Sequence, residues 1–355
     1  MSHPYDSLPP DAFWRTAVAD RSAFDIKGLW RPKWAIGRKE PIVTTGSCFA
    51  QHFGRALAAR GYAWLDAQPG PRGLDDSQRR DFHYGTFSFR TGNVYTPRML
   101  RQWLDWAFAD RMPDEVWEKA GRFFDPFRPG IEPGGFVTLE ELRASQAETL
   151  AAIRAAVAQA SVFVFTLGLT ESWQGPEGVE YAICPGTVAG RFDPAQHRFL
   201  NHGYAGLMAD MEGALSTLFR HNPGVRVLLT VSPVPLTATA SGAHVLVATS
   251  QSKALLRAVA GALADDPRID YFPSYEIITA PPFRGMFFAP NQRSIAEAGV
   301  AFVMEQFFSV LGRAPAAPRA PAPEPKPAEP PAAEPDSATD LRCEEEILNA
   351  FAQPR

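Results

Sequence analysis

The chain has 355 residues, of which 45% are hydrophobic, and its formal net charge at pH 7 is −4. This apolar fraction can fill a sizeable core, whereas a slightly acidic chain without a long basic run is not expected to bind nucleic acid through a broad basic surface. The three cysteines (Cys48, Cys184 and Cys343) are scattered and lack metal-site spacing, so we expect a reducing compartment, no disulfide framework and no metal. No glycine-rich phosphate loop is present, and no cofactor is expected.

The N-terminus is polar and lacks the basic region and apolar core of a secretory signal. No apolar run approaches the ~18–20 residues that span a bilayer. We therefore expect a cytoplasmic protein without a membrane span. Residues 1–40 contain Phe13, Trp14, Trp30 and Trp34, and they are predicted to form an irregular arm that packs its aromatic side chains on the main domain.

Beyond the arm, short apolar segments alternate with helical patterns. The predicted strands are 42–44, 161–167, 225–232 and 269–271, with a further short strand at 64–66, and the predicted helices are 48–60, 97–110, 139–159, 203–220, 250–264 and 295–311. The stretch between the strand at 161–167 and the helix at 203–220 is predicted to be a polar loop region. Uninterrupted apolar strands are typical of a parallel sheet buried on both faces. The alternation predicts an α/β fold, a three-layer open parallel sheet with flanking helices.

The domain is expected to span residues 1–312, including the arm. From 314 to 335, nine of 22 residues are proline, so 313–337 is predicted to be a semi-rigid linker rich in Pro and Ala. Residues 338–355 are predicted to form a short amphipathic helix that Asp340 caps, with Leu341, Ile347, Leu348 and Phe351 on one face. Such a helix is either a frayed tail or a tethered element that docks on the domain or on a protein partner.

Residues 46–50, Gly-Ser-Cys-Phe-Ala, place Ser47 on a tight turn between a predicted strand and a predicted helix. Gly46 allows the backbone to bend sharply, and the helix N-terminus offers free N–H groups and a positive dipole end. Hydrolases place a nucleophile and part of an oxyanion hole at such a junction, although a serine there is more often a helix cap.

The same five residues resemble the signature of the GSCFA family, a branch of the Ser-Gly-Asn-His (SGNH, GDSL-like) esterase superfamily. Similar blocks follow in the family's order at 85–96, 124–129, 166–173, 230–235 and 271–276. The resemblance implies an SGNH/flavodoxin-like fold and an esterase or O-acyl transferase that acts through an acyl-Ser47 intermediate. It also implies a small-molecule or carbohydrate acyl ester as substrate, as in polysaccharide modification.

The resemblance further implies an oxyanion hole. Gly92 stands where the superfamily's glycine block is expected, and the neighbouring Asn93 offers an amide. Thr170 stands where the superfamily has a donating asparagine. We expect Ser47 to be partly exposed in a pocket, with its own N–H and that of Gly92 aimed at the same space.

The base is missing from its usual place. The superfamily has Asp-x-x-His shortly before the last helix, where this chain has Asn291 and Ser294, and an amide and a hydroxyl cannot replace that pair near neutral pH. Ser294 is instead predicted to cap the last helix, with Glu297 completing a capping box.

Other residues are candidates for the missing chemistry. His244 follows the strand at 225–232 and is the first choice for a substitute base, within reach of Ser47. Glu171 either orients a base or pairs with an arginine such as Arg90. Lys253 is an anion anchor or an alternative base, and Arg293 is placed to bind a carboxylate or phosphate.

Two functions therefore remain open. One is a serine esterase or O-acyl transferase, and the other is a catalytically inactive SGNH-like domain that binds or scaffolds. A histidine nitrogen within ~3.5 Å of Ser47 Oγ would favour the first.

Overall fold

The computed structural model describes residues 3–311 and 344–351. This part of the chain contains nine strands and eight α-helices. The strands are β1 (Ile42–Gly46), β2 (Trp117–Lys119), β3 (Arg122–Phe124), β4 (Val162–Leu167), β5 (Glu171–Gln174), β6 (Glu180–Tyr181), β7 (Arg198–Asn201), β8 (Arg226–Val231) and β9 (Ile269–Phe272). The helices are α1 (Ala50–Ala59), α2 (Asp76–Asp81), α3 (Pro97–Ala109), α4 (Leu139–Gln159), α5 (Tyr204–His221), α6 (Val245–Leu263), α7 (Ser274–Thr279) and α8 (Glu297–Val310).

The central sheet is parallel, with strand order β1-β4-β8-β9. Its strands are almost continuously apolar and buried, as both-face burial requires. The predicted α/β fold, a parallel sheet flanked by helices, is confirmed. The predicted strand at 64–66 does not form. Only a single parallel bridge joins Trp64 to Ile42, at the outer edge of β1. With that bridge counted, the order matches the flavodoxin-like pattern, in which ligands bind where the order reverses, between β1 and β4.

The outer edge of β1 is covered by loops. Ile42 donates to Ala63 O at 2.9 Å and accepts from Leu65 N–H at 2.8 Å. Thr44 N–H donates to Ser88 Oγ at 2.9 Å, and Thr44 O accepts from Ser88 N–H at 3.1 Å. These bonds fix the segment after residue 85 along the strand that carries Ser47.

Local sequence explains the long helices. Thr96 caps α3, which has Pro97 in its first turn, and Thr138 with Glu141 forms a capping box on α4. Helix α6 begins at Val245 and not near residue 250, because His244 supplies its cap.

A small antiparallel sheet, β6-β5-β7, and the hairpin β2–β3 replace stretches that sequence analysis treated as loop or left unassigned. Each strand has only two to four residues, too short for a period-2 pattern to be recognised. Aromatic contacts hold the sheet, with Trp173 edge-on to Phe192 and Phe199.

The chain divides into two compact units. One comprises residues 37–275 with the C-terminal segment Glu344–Phe351, and the other contains the arm up to Ile36 with residues 276–311. In the second unit, Trp30 stacks on Phe307 of α8, as expected for the arm, whereas Trp14 is 67% exposed and Phe13 is also exposed. The arm therefore packs only part of its aromatic side chains.

The C-terminal segment is a 3-10 helix, and Phe351 on it is 64% exposed. The predicted linker, the Asp340 cap and Leu341 lie outside the described residues. Within 3–311 and 344–351, no helix combines the length and apolar character that a membrane span requires.

Candidate active site

Ser47 lies at the carboxyl end of β1, on a turn that only glycine permits at the preceding position. Gly46 has φ +132°, and a Cβ there would lie 2.4 Å from Thr166 O. Ser47 N–H donates to Thr166 O at 3.0 Å, so this N–H is not the oxyanion donor that we expected. Ser47 is also buried, with 1% of its surface exposed, and is not partly open as predicted.

The loop at 91–96 is hydrogen-bonded to the carboxyl ends of both β1 and β4. Val94 N–H donates to Gly46 O at 2.8 Å, and the N–H groups of Gly168 and Leu169 donate to Tyr95 O at 2.9 and 3.1 Å. A Cβ on Gly168 would lie 2.9 Å from Ser47 Cβ. Ser47, this loop and the turn after β4 therefore meet where the strand order reverses.

Three donors on this loop converge on one carboxylate, that of Glu344 in the C-terminal segment. Asn93 N–H donates to Glu344 Oε1 at 3.3 Å, while Asn93 Nδ2 and the Tyr95 hydroxyl donate to Oε2 at 2.7 and 3.2 Å. Gln51 Nε2 donates to Asn93 Oδ1 at 3.4 Å, which orients the amide. We call the group formed by Asn93 N–H, Asn93 Nδ2 and Tyr95 OH the carboxylate hole.

Gly92 lies directly against the carboxylate of Glu344. Its φ is +68°, and a Cβ would lie 2.6 Å from Glu344 Oε1. The residue Glu344 is only half-buried as a whole, but protein encloses its carboxylate, and this burial raises the pKa of Glu344, while hydrogen bonds from Asn93 and Tyr95 oppose the rise. Sequence analysis pointed to Gly92 and Asn93 but missed Tyr95 and Glu344.

The two polar residues predicted after β4 and in α6 have other partners. The Thr170 hydroxyl donates to Asn201 Oδ1 at 2.8 Å, and Thr170 N–H donates to Ser252 Oγ at 3.1 Å. Lys253 is buried and donates from Nζ to Gly168 O at 2.7 Å. Both residues thus fix the turn that packs against Ser47, and their direct roles toward a substrate stay predictions.

Glu171 and Arg90 are not paired with each other. Glu171 Oε1 accepts from the Thr239 hydroxyl at 2.6 Å, and partial burial raises the pKa of Glu171 against the hydrogen bonds that it accepts. Arg90 donates from Nε to Phe82 O at 2.9 Å and from Nη2 to Ile131 O at 3.1 Å. Desolvation lowers the pKa of Arg90, and its contacts tie loops together.

No histidine is bonded to the candidate nucleophile. Ser47 Oγ has no hydrogen-bond partner within the described residues, which include all seven histidines. His244 is exposed, and its Nδ1 accepts from Leu246 N–H at 3.2 Å. It therefore caps α6 and does not make the expected contact with Ser47. His52 packs edge-on to Phe49, and burial, with Arg55 nearby, lowers the pKa of His52 to about 3.

Asn291 closes a turn in the second unit. Its Oδ1 accepts from the N–H groups of Arg293 and Ser294 at 3.0 and 2.9 Å, and its Nδ2 donates to Ser294 Oγ at 2.9 Å. Ser294 is not the predicted helix cap, because α8 begins at Glu297 after Ala296. An anion-binding role for Arg293 stays a prediction. Within the described ranges, no three His, Cys, Asp or Glu side chains are grouped as metal ligands.

Comparison with known proteins adds the family. A search of curated proteins gives no match to this chain. The profile of the GSCFA family matches residues 41–307, which include the Ser47 turn, the loop at 91–96 and the turn after β4. This match covers most of the chain, and the chain belongs to the GSCFA family.

Proposed function

We propose that this protein is a serine esterase or O-acyl transferase that acts through an acyl-Ser47 intermediate. The observation that carries the proposal is the carboxylate hole. Three donors hold the carboxyl oxygens of Glu344 on a loop whose Val94 is bonded to Gly46, next to Ser47. Donors that bind a carboxylate can also bind the oxyanion that develops when an ester is attacked.

In this scheme, Ser47 Oγ bonds to the acyl carbon, and the carbonyl electron pair moves to the oxygen held by Asn93 and Tyr95. Collapse of that intermediate breaks the ester bond and releases the alcohol, which takes up a proton. Water or an acceptor hydroxyl then attacks the acyl-serine and frees Ser47. Resemblance to the superfamily supports an acylated carbohydrate as the substrate.

The scheme needs a proton acceptor for Ser47. His244 is the proposed acceptor, oriented by Glu171, because it follows β8 on a loop whose Thr239 is bonded to Glu171. It would have to release Leu246 N–H to reach Ser47.

A second function is favoured by one observation, the absence of any partner on Ser47 Oγ within the described residues. In that case the protein is a catalytically inactive binding or scaffolding domain, and the carboxylate hole binds a carboxylate or carbonyl group without turnover.

The experiment is labelling of the full chain with a fluorophosphonate, followed by mapping of the labelled residue. Ser47→Ala should lose the label and the hydrolysis of p-nitrophenyl acetate. Ser172→Ala is the matched control, because Ser172 is also buried and its hydroxyl has no partner among the residues that the structure describes, and it should keep both. Label on another residue, or equal activity in Ser47→Ala, would exclude the acyl-Ser47 route.

A further inference from the structure

The carboxylate of Glu344 uses all three donors of the carboxylate hole, and it reaches them from 251 residues further along the chain. Each oxygen is engaged, Oε1 by Asn93 N–H and Oε2 by the Asn93 amide and the Tyr95 hydroxyl. Hydrogen bonds to a carboxylate are stronger than bonds between neutral groups. The contact therefore uses donors that are suited to a carboxylate or carbonyl oxygen.

We propose that Glu344 is an internal competitor for the carboxylate hole, so that the C-terminal segment Glu344–Phe351 holds the site closed to acyl groups. This inference rests on the function proposed above, because it assigns the hole to a substrate oxygen.

Steric exclusion supports the competition. Glu344 Oε1 approaches Gly92 so closely that a single methyl group on Gly92 would overlap it. The Cγ of Glu344 also lies near Gly130, where a Cβ would be 3.9 Å away. A substrate oxygen bound to the Asn93 and Tyr95 donors would occupy the space of this carboxylate, so the two cannot be bound together.

The rest of the segment buries little apolar surface. Glu345 is buried, Ile347 and Leu348 are half-buried, and Phe351 is exposed. Eight residues with so little buried apolar surface form a contact that can open. The Glu344 carboxylate attaches this segment to the carboxylate hole.

The occupant that we assign is the segment of the same chain. Residues 312–343, which lie outside the described part, join this segment covalently to the rest of the chain, and 32 residues span at most about 115 Å when fully extended. The segment of a second copy is the alternative, and the test below separates the two.

The first experiment compares full-length Glu344→Ala with wild type. The control is Glu346→Ala, an exposed glutamate on the same segment. We expect Ser47 to react with a fluorophosphonate and to hydrolyse p-nitrophenyl acetate on the order of tenfold faster in Glu344→Ala, as for a wild type that is open about a tenth of the time. Slower reaction in Glu344→Ala would overturn the proposal, because the carboxylate would then assist the chemistry.

The second experiment measures binding without catalysis. Sodium acetate is titrated into ¹⁵N-labelled protein, and the side-chain amide signal of Asn93 is followed. Acetate should shift that signal in Glu344→Ala at concentrations that leave wild type and Glu346→Ala unchanged. Acetate binding without ester hydrolysis would keep the competition and remove the esterase function. Equal acetate binding in wild type and Glu344→Ala would overturn the competition, whatever Ser47 does.

A peptide of residues 341–355 should slow labelling when added to Glu344→Ala, and the same peptide with Ala at 344 should not. Failure of the wild-type peptide at millimolar concentration would count against the contact. If wild-type protein instead reacts faster on dilution, the occupant belongs to a second copy, and the assignment to the same chain is wrong.

Discussion

The turn at Gly46–Ser47 is held by the backbone, whereas the turn at 290–294 is held by side chains. In the first, Gly46 and Gly168 fit because a Cβ on either would lie within 3 Å of a neighbouring atom, and peptide groups make the bonds. In the second, the Asn291 side chain makes three hydrogen bonds that close the turn. The resemblance assigns the nucleophile to the first turn and the acid–base pair to the second.

This difference teaches why one half of the expected machinery is recognisable and the other is not. Backbone geometry that depends on glycine changes only with a steric penalty, so the sequence marks the Ser47 turn with Gly46. Two substitutions can replace a catalytic pair made of side chains and leave the turn intact. Here Asn291 and Ser294 contact each other across the turn.

The largest effect is expected from placing an Asp–His pair in the turn at 290–294. In Asn291→Asp with Ser294→His, the new carboxylate and imidazole would take the positions of two side chains already in contact, and esterase activity should rise by about 10²–10⁴-fold, the usual contribution of general acid–base catalysis. The single variant Asn291→Asp is the control and should give no gain. An unchanged rate in a protein whose Ser47 still reacts with a fluorophosphonate would show that the base lies elsewhere.

The next largest effect should come from Gly46→Ala. The added methyl group would overlap Thr166 O at a φ that disfavours side chains, so we expect a loss of more than about 3 kcal/mol in the free energy of unfolding, measured in urea. Gly121→Ala is the matched control, because φ is +73° there but no atom of the described residues lies within 4 Å of the new Cβ, and it should lose about 1 kcal/mol. Similar losses in the two variants would mean that the Ser47 turn is not sterically fixed.

A smaller effect on stability is expected when the pH is lowered, because of His52 on the helix that follows Ser47. Burial holds the pKa of His52 near 3, below its ordinary value of 6.5, so the folded protein keeps the ring neutral while the unfolded chain takes up a proton. Stability is therefore lost as pH falls below 6.5, by about 2 kcal/mol at pH 5.

The measurement compares the free energy of unfolding of wild type and His52→Gln at pH 7.5 and pH 5. The difference between the two proteins should shift by that amount in favour of the variant at the lower pH. A difference that stays constant would mean that His52 titrates alike in both states.

The smallest effect should come from Asn291→Ala. This change removes an exposed side chain that closes a turn, and it should lower the free energy of unfolding by about 1 kcal/mol or less. Urea unfolding beside Gly46→Ala gives the direct test of the comparison. A loss above about 3 kcal/mol would mean that the two turns do not differ in how strongly a substitution destabilises them.

Much of the fold could be predicted, because periodicity is a local signal. The four parallel strands and six helices of the predicted pattern all form, with shifted ends such as the start of α6 at Val245. The sheet β6-β5-β7 could not be predicted, since its strands are too short and its pairing joins distant residues. The predicted cap at Ser294 was wrong, because Ala296 occupies the cap position directly before the first turn of α8.

The candidate site was only partly accessible to the same reasoning. Ser47 and Gly92 lie in turns that glycine marks in the sequence. Glu344 lies in the C-terminal segment, 251 residues from Asn93, and no local pattern predicts that pairing. Tyr95 stands out in the sequence only as part of a family block. In the structure its carbonyl accepts from Gly168 and Leu169 N–H, and its hydroxyl donates to Glu344.

The covered edge of β1 has a consequence for association. An open edge strand offers unpaired N–H and C=O groups to any other strand, and this invites aggregation or domain swapping. Here the N–H and C=O groups of Ile42 and Thr44, and the C=O of Gly46, are already taken by the loops at 63–65, 88 and 94. A partner chain therefore finds no row of free peptide groups along β1, and addition of a strand there would first require the chain to peel away the loop that holds Asn93.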